Sequence, residues 1–423
     1  MTEVQISKSP LSGELTVPPS KSSAHRAIIC AALARGVSVI SPVVLSNDMK
    51  ATISAVEALG VKTVLEGTVL TVDSSAVFSV ENAVINCGES GSTLRFLIPV
   101  AACGGTVCTF TGEGRLPRRP IGAFLELLPA HGTQCVSDGG LPLSISGKLS
   151  GGTFEIRGDE SSQYITGLLL GLVLTGRDSA IILTTPLESR GYVDMTVQVM
   201  KQFGVRVEER ENGYFIAGGQ RFTPARFHVE GDWSQAGYFM AAGALGGSMR
   251  LLGLDIYSTQ RDMEAARILK EMGADIRFEN DILYAAPGML KGVDIDASQI
   301  PDAVPALAVA CAFAEGESRI YGAARLRIKE SDRIESVAAG LEAIGVKVRQ
   351  TDDGMIIQGG GLHPGRIRGF NDHRIVMAFS VAAAYLRGES VIEDAQSVAK
   401  SFPDFFEEFN RVGGKASVVS LGS

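Results

Sequence analysis

The stretch Ala55–Ser74, AVEALG-VKTVLEG-TVLTVDS, decides the fold. A helix-like run closes on Gly60, and two short segments joined at Gly67 then alternate apolar and polar residues. A glycine just past a helix end reads as the left-handed stop residue, where a side chain would clash. Alternation with a period of two reads as half-buried antiparallel strands. The pattern returns as AFLELLPAHG ending at Gly132, TVQVMKQFG at Gly204, AARILKEMG at Gly273, VAAGLEAIG at Gly345 and EEFNRVG at Gly413. Neighbouring copies lie about 70 residues apart, too far for a solenoid, so each is a supersecondary block.

Ahead of each such helix comes another set: a short strand, a smaller and more apolar helix, and a strand. In the third copy these are TFEIRG from Thr153, a helix over 161–174, and AIILTTP from Ala180. The unit is therefore β-α-β-α-β-β, and right-handed crossovers put both its helices on one face of its sheet. The sixth copy lacks a closing strand, while the chain opens on an unassigned one, EVQISK at Glu3–Lys8. Pairing the two gives an α/β chain with one domain, 1–20 plus 232–423, carrying both termini. The other, 21–231, is inserted, with three units in each. Six units in one array is the alternative.

Composition agrees. At 423 residues the chain exceeds one ordinary core, and 45% hydrophobic with 20% charged residues excludes a disordered chain. A formal charge of −8 speaks against a general nucleic-acid or anionic-membrane surface and leaves room for a local basic pocket. The richest apolar run, Tyr164–Thr175, is broken by Gly167 and Gly171 and falls short of the roughly 20 residues a membrane span needs. The amino terminus has no basic segment followed by an apolar core, so no export is expected. Six cysteines without CxxC, and without His at metal spacing, read as buried reduced thiols in a cytoplasmic protein with no metal site.

Unusual polar residues collect where the helices begin. Lys21, Ser22 and Arg26 open the first helix of copy one; Gly91, Ser92 and Arg95 that of copy two; Ser161, Ser162 and Gln163 that of copy three. Asp232 and Ser234, then Asp302, then Asp372, His373 and Arg374 hold those places in the last three copies, and Arg119, Tyr192, Lys329, Glu330, Arg333 and Lys400 mark second helices. Helix amino ends offer unpaired N–H groups and partial positive charge, so several of them with Lys and Arg suit multiply charged anions. Taken singly, Ser22, Ser161 and Ser162 read equally well as helix caps, and Asp302 as an acid offsetting the helix dipole. CGESGST at Cys87–Thr93 lacks the Lys and spacing of a nucleotide-binding P-loop.

The motifs PSKSSAHR (Pro19–Arg26), GESGSTLR (Gly88–Arg95), RRPIG (Arg118–Gly122), SSQY (Ser161–Tyr164), SRGYVD (Ser189–Asp194), IPDA (Ile300–Ala303), KESDR (Lys329–Arg333), NDHR (Asn371–Arg374) and KSFPDF (Lys400–Phe405) run in order along nearly the whole chain. As an ordered set they resemble the 5-enolpyruvylshikimate-3-phosphate synthase family. The resemblance implies a two-domain inverse α/β barrel of six βαβαββ units, three per domain, with the active site in the cleft between them. It implies transfer of the enolpyruvyl group of phosphoenolpyruvate to the 5-hydroxyl of shikimate 3-phosphate by addition and elimination, with loss of phosphate. Lys21, Ser22, Arg26, Ser161, Ser162, Gln163, Ser189, Tyr192, Asp302, Arg325 and Lys329 would hold shikimate 3-phosphate. Lys21, Gly91, Arg119, Gln163, Arg333, Arg374 and Lys400 would surround phosphoenolpyruvate. Asp302 would act as hydroxyl base, and Glu330 with Lys21 as proton donor.

No metal or organic cofactor is implied, no nucleic acid or membrane partner, and a monomer whose domains close on ligands is expected. Three positions depart from the family pattern: Glu89 for Asn, Ser92 for Thr and Arg325 for Asn. Glu89 is expected to point away from a bound phosphate or to pair with an arginine. The room at Gly91 predicts inhibition by the phosphonate glyphosate. The sister transferase acting on UDP-N-acetylglucosamine carries a Cys in the loop that here reads GEGRLPRRP (Gly112–Pro120), and it has Lys-Asn where Lys21-Ser22 stands. That enzyme and a non-catalytic scaffold binding phosphorylated metabolites are the alternatives.

Overall fold

The six repeat glycines all adopt the left-handed conformation: φ is +96° at Gly60 and Gly132, +83° at Gly204, +115° at Gly273, +87° at Gly345 and +98° at Gly413. The structure is a computed structural model that describes residues 2–420. Second helices ending at these glycines include Asn47–Ala58, Arg190–Gln202, Glu264–Met272 and Arg333–Ala343.

Each unit contributes a four-stranded sheet of one pattern. In the third, Thr153–Ile156 pairs parallel with Ser179–Leu183, which pairs antiparallel with Gly213–Ile216, itself antiparallel to Glu208–Arg210. A parallel pair needs a crossover, and the helix Ser162–Leu172 supplies it. Strands such as Asn82–Asn86 alternate exposed and buried residues, so one sheet face looks to solvent and the other to helices. In the sixth sheet Thr2–Ser7 lies antiparallel between Glu389–Glu393 and Ala416–Ser420, with Val4 opposite both Ile392 and Val418. The opening strand thus completes the last unit.

Two expectations need correction. The first helix is not the smaller one in every unit: Gly91–Gly104 has 14 residues against 6 in Gly122–Leu127 and Trp233–Gly246 has 14 against 9 in Glu264–Met272, whereas Ser162–Leu172 with 11 is shorter than Arg190–Gln202 with 13, and Val304–Phe313 with 10 is shorter than Arg333–Ala343 with 11. The first helices are the more apolar and are buried on nearly all sides, as Val304–Phe313 (VPALAVACAF) shows, whereas a second helix such as Glu264–Met272 buries one face.

The chain also changes unit earlier than 20/21 and 231/232. One compact unit comprises the residues up to Pro18 and from Glu230 onward; the other is Pro19–Val229. Hydrogen bonds fix the boundaries. Val17 N donates to Leu252 O, while Ser20 Oγ already caps the helix Lys21–Leu33; Val229 N donates to Ser41 O, and Gly231 N to Gly253 O. The strand before each crossing stays with the unit the chain is leaving. Ser12–Thr16 pairs parallel with Ser248–Leu252 in the fourth sheet, and Arg226–His228 pairs parallel with Val37–Ser41 in the first. Each unit has its own apolar core around its three first helices. Among the described residues no helix is long and apolar enough to cross a membrane.

Candidate functional site

In the unit Pro19–Val229 the polar residues sit at the amino ends of Lys21–Leu33, Gly91–Gly104 and Ser162–Leu172. Lys21 Nζ donates to Asp48 Oδ2 at 2.8 Å. Arg26 is buried, yet its partners are neutral. Nε donates to Thr196 Oγ1 at 2.8 Å, Nη1 to Ser22 O at 2.7 Å and Nη2 to Tyr192 O at 3.0 Å, with the guanidinium 4.9 Å from the centre of the Phe96 ring. Burial without a carboxylate lowers its pKa to about 10, against the pull of Tyr192 and Cys30, and leaves it charged at neutral pH. Arg95 Nη1 donates to Gln163 Oε1 and Nη2 to Pro120 O, while Gln163 Nε2 donates to Ser92 Oγ at 3.0 Å. A Cβ on Gly91 would stand 2.6 Å from Arg119 Nη1 and 2.8 Å from Arg95 Nη1, so only glycine lets both guanidinium groups approach this helix end. Ser189 takes a left-handed φ of +50° before the helix Arg190–Gln202, and Tyr192 stands half-buried in its first turn. Behind them, His25 Nδ1, Thr52 Oγ1, Thr93 Oγ1 and Ser90 Oγ form a buried chain of hydrogen bonds at 2.6–2.8 Å. Burial holds His25 well below its ordinary pKa, aided by Lys21 and Arg26, so it stays neutral.

The other unit gathers charges of both signs. Asp302 lies in the turn before Val304–Phe313 and is 17% exposed. Its Oδ1 accepts from Arg333 Nη1 at 2.9 Å and lies 3.9 Å from Lys329 Nζ; Oδ2 accepts from Arg374 Nη2 at 2.8 Å. Arg333, 1% exposed, also donates from Nη2 to Glu330 Oε2 at 2.6 Å and from Nε to Asp372 Oδ2 at 2.8 Å. Asp372 is fully buried; it accepts from Ser331 Oγ and caps the helix His373–Ala383 through Arg374 N. Lys400 Nζ donates to Asn371 O at 2.6 Å, and Arg325 Nη2 to Ser298 O at 2.8 Å.

Burial pushes the Asp302 carboxyl up, but Arg374, Lys329 and Arg333 overturn this and hold it far below the usual carboxylate range. Burial brings Lys329 down to about 8, opposed by Asp302 and Glu330 and reinforced by Arg333. Burial also disfavours charged Arg333, but Asp372, Glu330 and Asp302 outweigh it and raise its pKa.

Of the residues named from sequence, Lys21, Ser22, Arg26, Gly91, Arg119, Ser161, Ser162, Gln163, Ser189 and Tyr192 belong to the first unit. Asp302, Arg325, Lys329, Glu330, Arg333, Arg374 and Lys400 belong to the second. Asp302, Lys329, Glu330, Arg333 and Arg374 form one contiguous charge cluster. Ser161 is a cap, donated to by Gln163 N, whereas the helix at Lys21 is capped by Ser20 and not by Ser22. The Glu89 carboxylate lies over Gly114, turned toward the loop 112–115. Arg115 and Arg118 are exposed while Arg119 turns inward. The sequence placed Asp372 at a helix start without a role of its own and did not single out Asp48. Asp372 had a signal, an acid at the start of an apolar helix next to Arg374; Asp48 had none. Among the described residues no group of three or more His, Cys, Asp or Glu could hold a metal.

With this geometry in hand, the comparisons are specific. The family described as EPSP synthase (3-phosphoshikimate 1-carboxyvinyltransferase) matches residues 6–409. A 3-phosphoshikimate 1-carboxyvinyltransferase of Clostridium novyi is 42% identical over 434 residues, covering 100% of both chains. An EPSP synthase structure from Acinetobacter baumannii superposes with a TM-score of 0.84 at 29% identity, over 99% of this chain and 100% of that one. The enolpyruvyl transferase NikO from Streptomyces tendae, at 18% identity and a TM-score of 0.79 over 100% of both chains, shares the fold.

Proposed function

The chain belongs to the EPSP synthase (3-phosphoshikimate 1-carboxyvinyltransferase) family, and from that premise we propose a division of labour between its two clusters. The reaction moves the enolpyruvyl group of phosphoenolpyruvate onto the 5-hydroxyl of shikimate 3-phosphate. The oxygen adds to C2 of the enol as C3 gains a proton. The C2–O bond to phosphate then breaks as the new methyl group returns a proton. Each substrate carries a phosphate and a carboxylate, so bringing them together requires compensating cations.

In this reading the unit Pro19–Val229 is the anion holder. Arg26, Ser22, Ser161, Ser162, Gln163, Ser189 and Tyr192 bind shikimate 3-phosphate, and Lys21, Gln163, Arg119 and the backbone at Gly91 bind phosphoenolpyruvate. The other unit is the main proton handler: Asp302 is the hydroxyl base, and Glu330, together with Lys21 of the first unit, exchanges the C3 proton. Lys329 and Arg325 face shikimate 3-phosphate, while Arg333, Arg374 and Lys400 take the phosphoenolpyruvate anions. The observation that carries this reading is Asp302 bound by Arg333 and Arg374 with Lys329 nearby.

A carboxylate held that acidic is a weak base. Substrate anions that take up the charge of Arg374, Lys329 and Arg333 raise its proton affinity, so binding itself switches the base on. We place the enzyme in the cytoplasm as a monomer; the six free cysteines support a reducing compartment. The test is phosphate release from phosphoenolpyruvate with each of two acceptors. Turnover with shikimate 3-phosphate and none with UDP-N-acetylglucosamine is expected, and the reverse would refute the reading.

A further inference from the structure

Away from both clusters, the unit Pro19–Val229 contains a cavity of about 730 Å³, within the range of small-molecule sites. It opens at the carboxyl ends of the helices whose amino ends carry Lys21, Gly91 and Ser162, with Leu33, Cys103 and Val173 in its walls. At 1.5 Å per residue, the 13 residues of Lys21–Leu33 set the two ends about 20 Å apart.

Its lining divides by chemistry. Val77, Phe78, Leu174 and Phe222 give an apolar floor. Arg35, Lys148 and Arg221 stand exposed around it; their side chains form no ion pair or hydrogen bond with any described residue, and no carboxylate lines the cavity. The partial negative charge of the helix ends favours cations here, and no carboxylate joins these three, so their charge faces the opening unmatched by any described side chain.

Arg35, with a left-handed φ of +50°, is the residue that ends the helix Lys21–Leu33, and Phe78 holds a φ of +60°, unusual for so large a side chain; both line this cavity. The Phe78 ring packs where a side chain on Gly104 would stand, so the wall is built around that glycine.

We propose that this cavity is a second binding site, for a small organic anion. A carboxylate, sulfonate or phosphate would meet Arg35, Lys148 and Arg221, and a ring or short chain would rest on Phe78, Leu174 and Phe222. A ligand there packs against the helices that present the anion-holding groups at their other ends.

The probe is 8-anilinonaphthalene-1-sulfonate, titrated by fluorescence into the full chain. Saturable binding of about one probe per chain, undisturbed by shikimate 3-phosphate plus phosphoenolpyruvate, is expected. Affinity should fall by about tenfold or more in Lys148→Glu/Arg221→Glu and return in Lys148→Arg/Arg221→Lys, the loss expected for charge-assisted contacts. The uncharged N-phenyl-1-naphthylamine should bind about tenfold more weakly. Turnover without probe should match the parent in both variants, which verifies their folding independently of the proposal. If charge reversal prevents folding, Arg35→Gln supplies the same comparison with a loss of about threefold. Absent binding, displacement by the substrates, equal affinity in the charge-altered variant, or equal binding of the uncharged probe would each overturn the proposal.

Discussion

Arg26 and Arg333 are both buried arginines, and the difference between them carries the chemistry. Arg333 is surrounded by Asp302, Glu330 and Asp372, so an anion that draws on its charge competes with three carboxylates. Arg26 rests on a hydroxyl, two carbonyls and a ring, so its charge is available to an anion. Arg26→Met is therefore expected to weaken shikimate 3-phosphate binding by about 10²-fold with the fold retained, measurable by calorimetry. Gly91→Ala would push Arg119 and Arg95 aside, and the KM for phosphoenolpyruvate should rise by about tenfold in steady-state assays. Lys329, with a pKa of about 8, is charged below that pH and neutral above it. The kcat/KM for shikimate 3-phosphate should fall as pH rises past 8, and Lys329→Arg, charged throughout, should move that limb upward. At this scale the sequence was informative where chemistry demanded a residue type at a helix start, as at Asp302 and Arg374. Asp48 was invisible because its role depends on which helix lies beside Lys21.

The elements were legible through punctuation. Gly273 shows why: φ is +115°, and a Cβ there would overlap the carbonyl of Met289. Gly273→Ala should destabilise its unit by about 1–3 kcal/mol, seen as a lower urea midpoint at unchanged slope. Alternation identified the strands after each glycine because one sheet face meets solvent. It could not reveal that Ser12–Thr16 and Arg226–His228 join sheets other than those of the helices that follow them. Short parallel strands carry no pattern that names a partner, and only backbone pairing across more than 180 residues decides it. The relative lengths of the paired helices vary from unit to unit, and neither apolarity nor burial orders them.

At the scale of the molecule, two separate cores imply two cooperative systems. The single tryptophan, Trp233, is buried in the unit that carries both termini and donates from Nε1 to Asp255 O at 3.0 Å. Tryptophan fluorescence should therefore follow that unit alone while far-ultraviolet circular dichroism follows both. Non-coincident denaturant transitions are expected, and superimposable ones would show that the cores unfold as one.

The division between anion holding and proton handling is tested most directly with Asp302→Ala, by measuring shikimate 3-phosphate affinity and phosphate release on the same protein. Affinity within about threefold of the parent, with turnover lower by about 10³-fold or more, is predicted for loss of a general base that leaves the anion-holding side chains in place. Turnover within about tenfold of the parent, or loss of binding to the same extent as turnover, would contradict it.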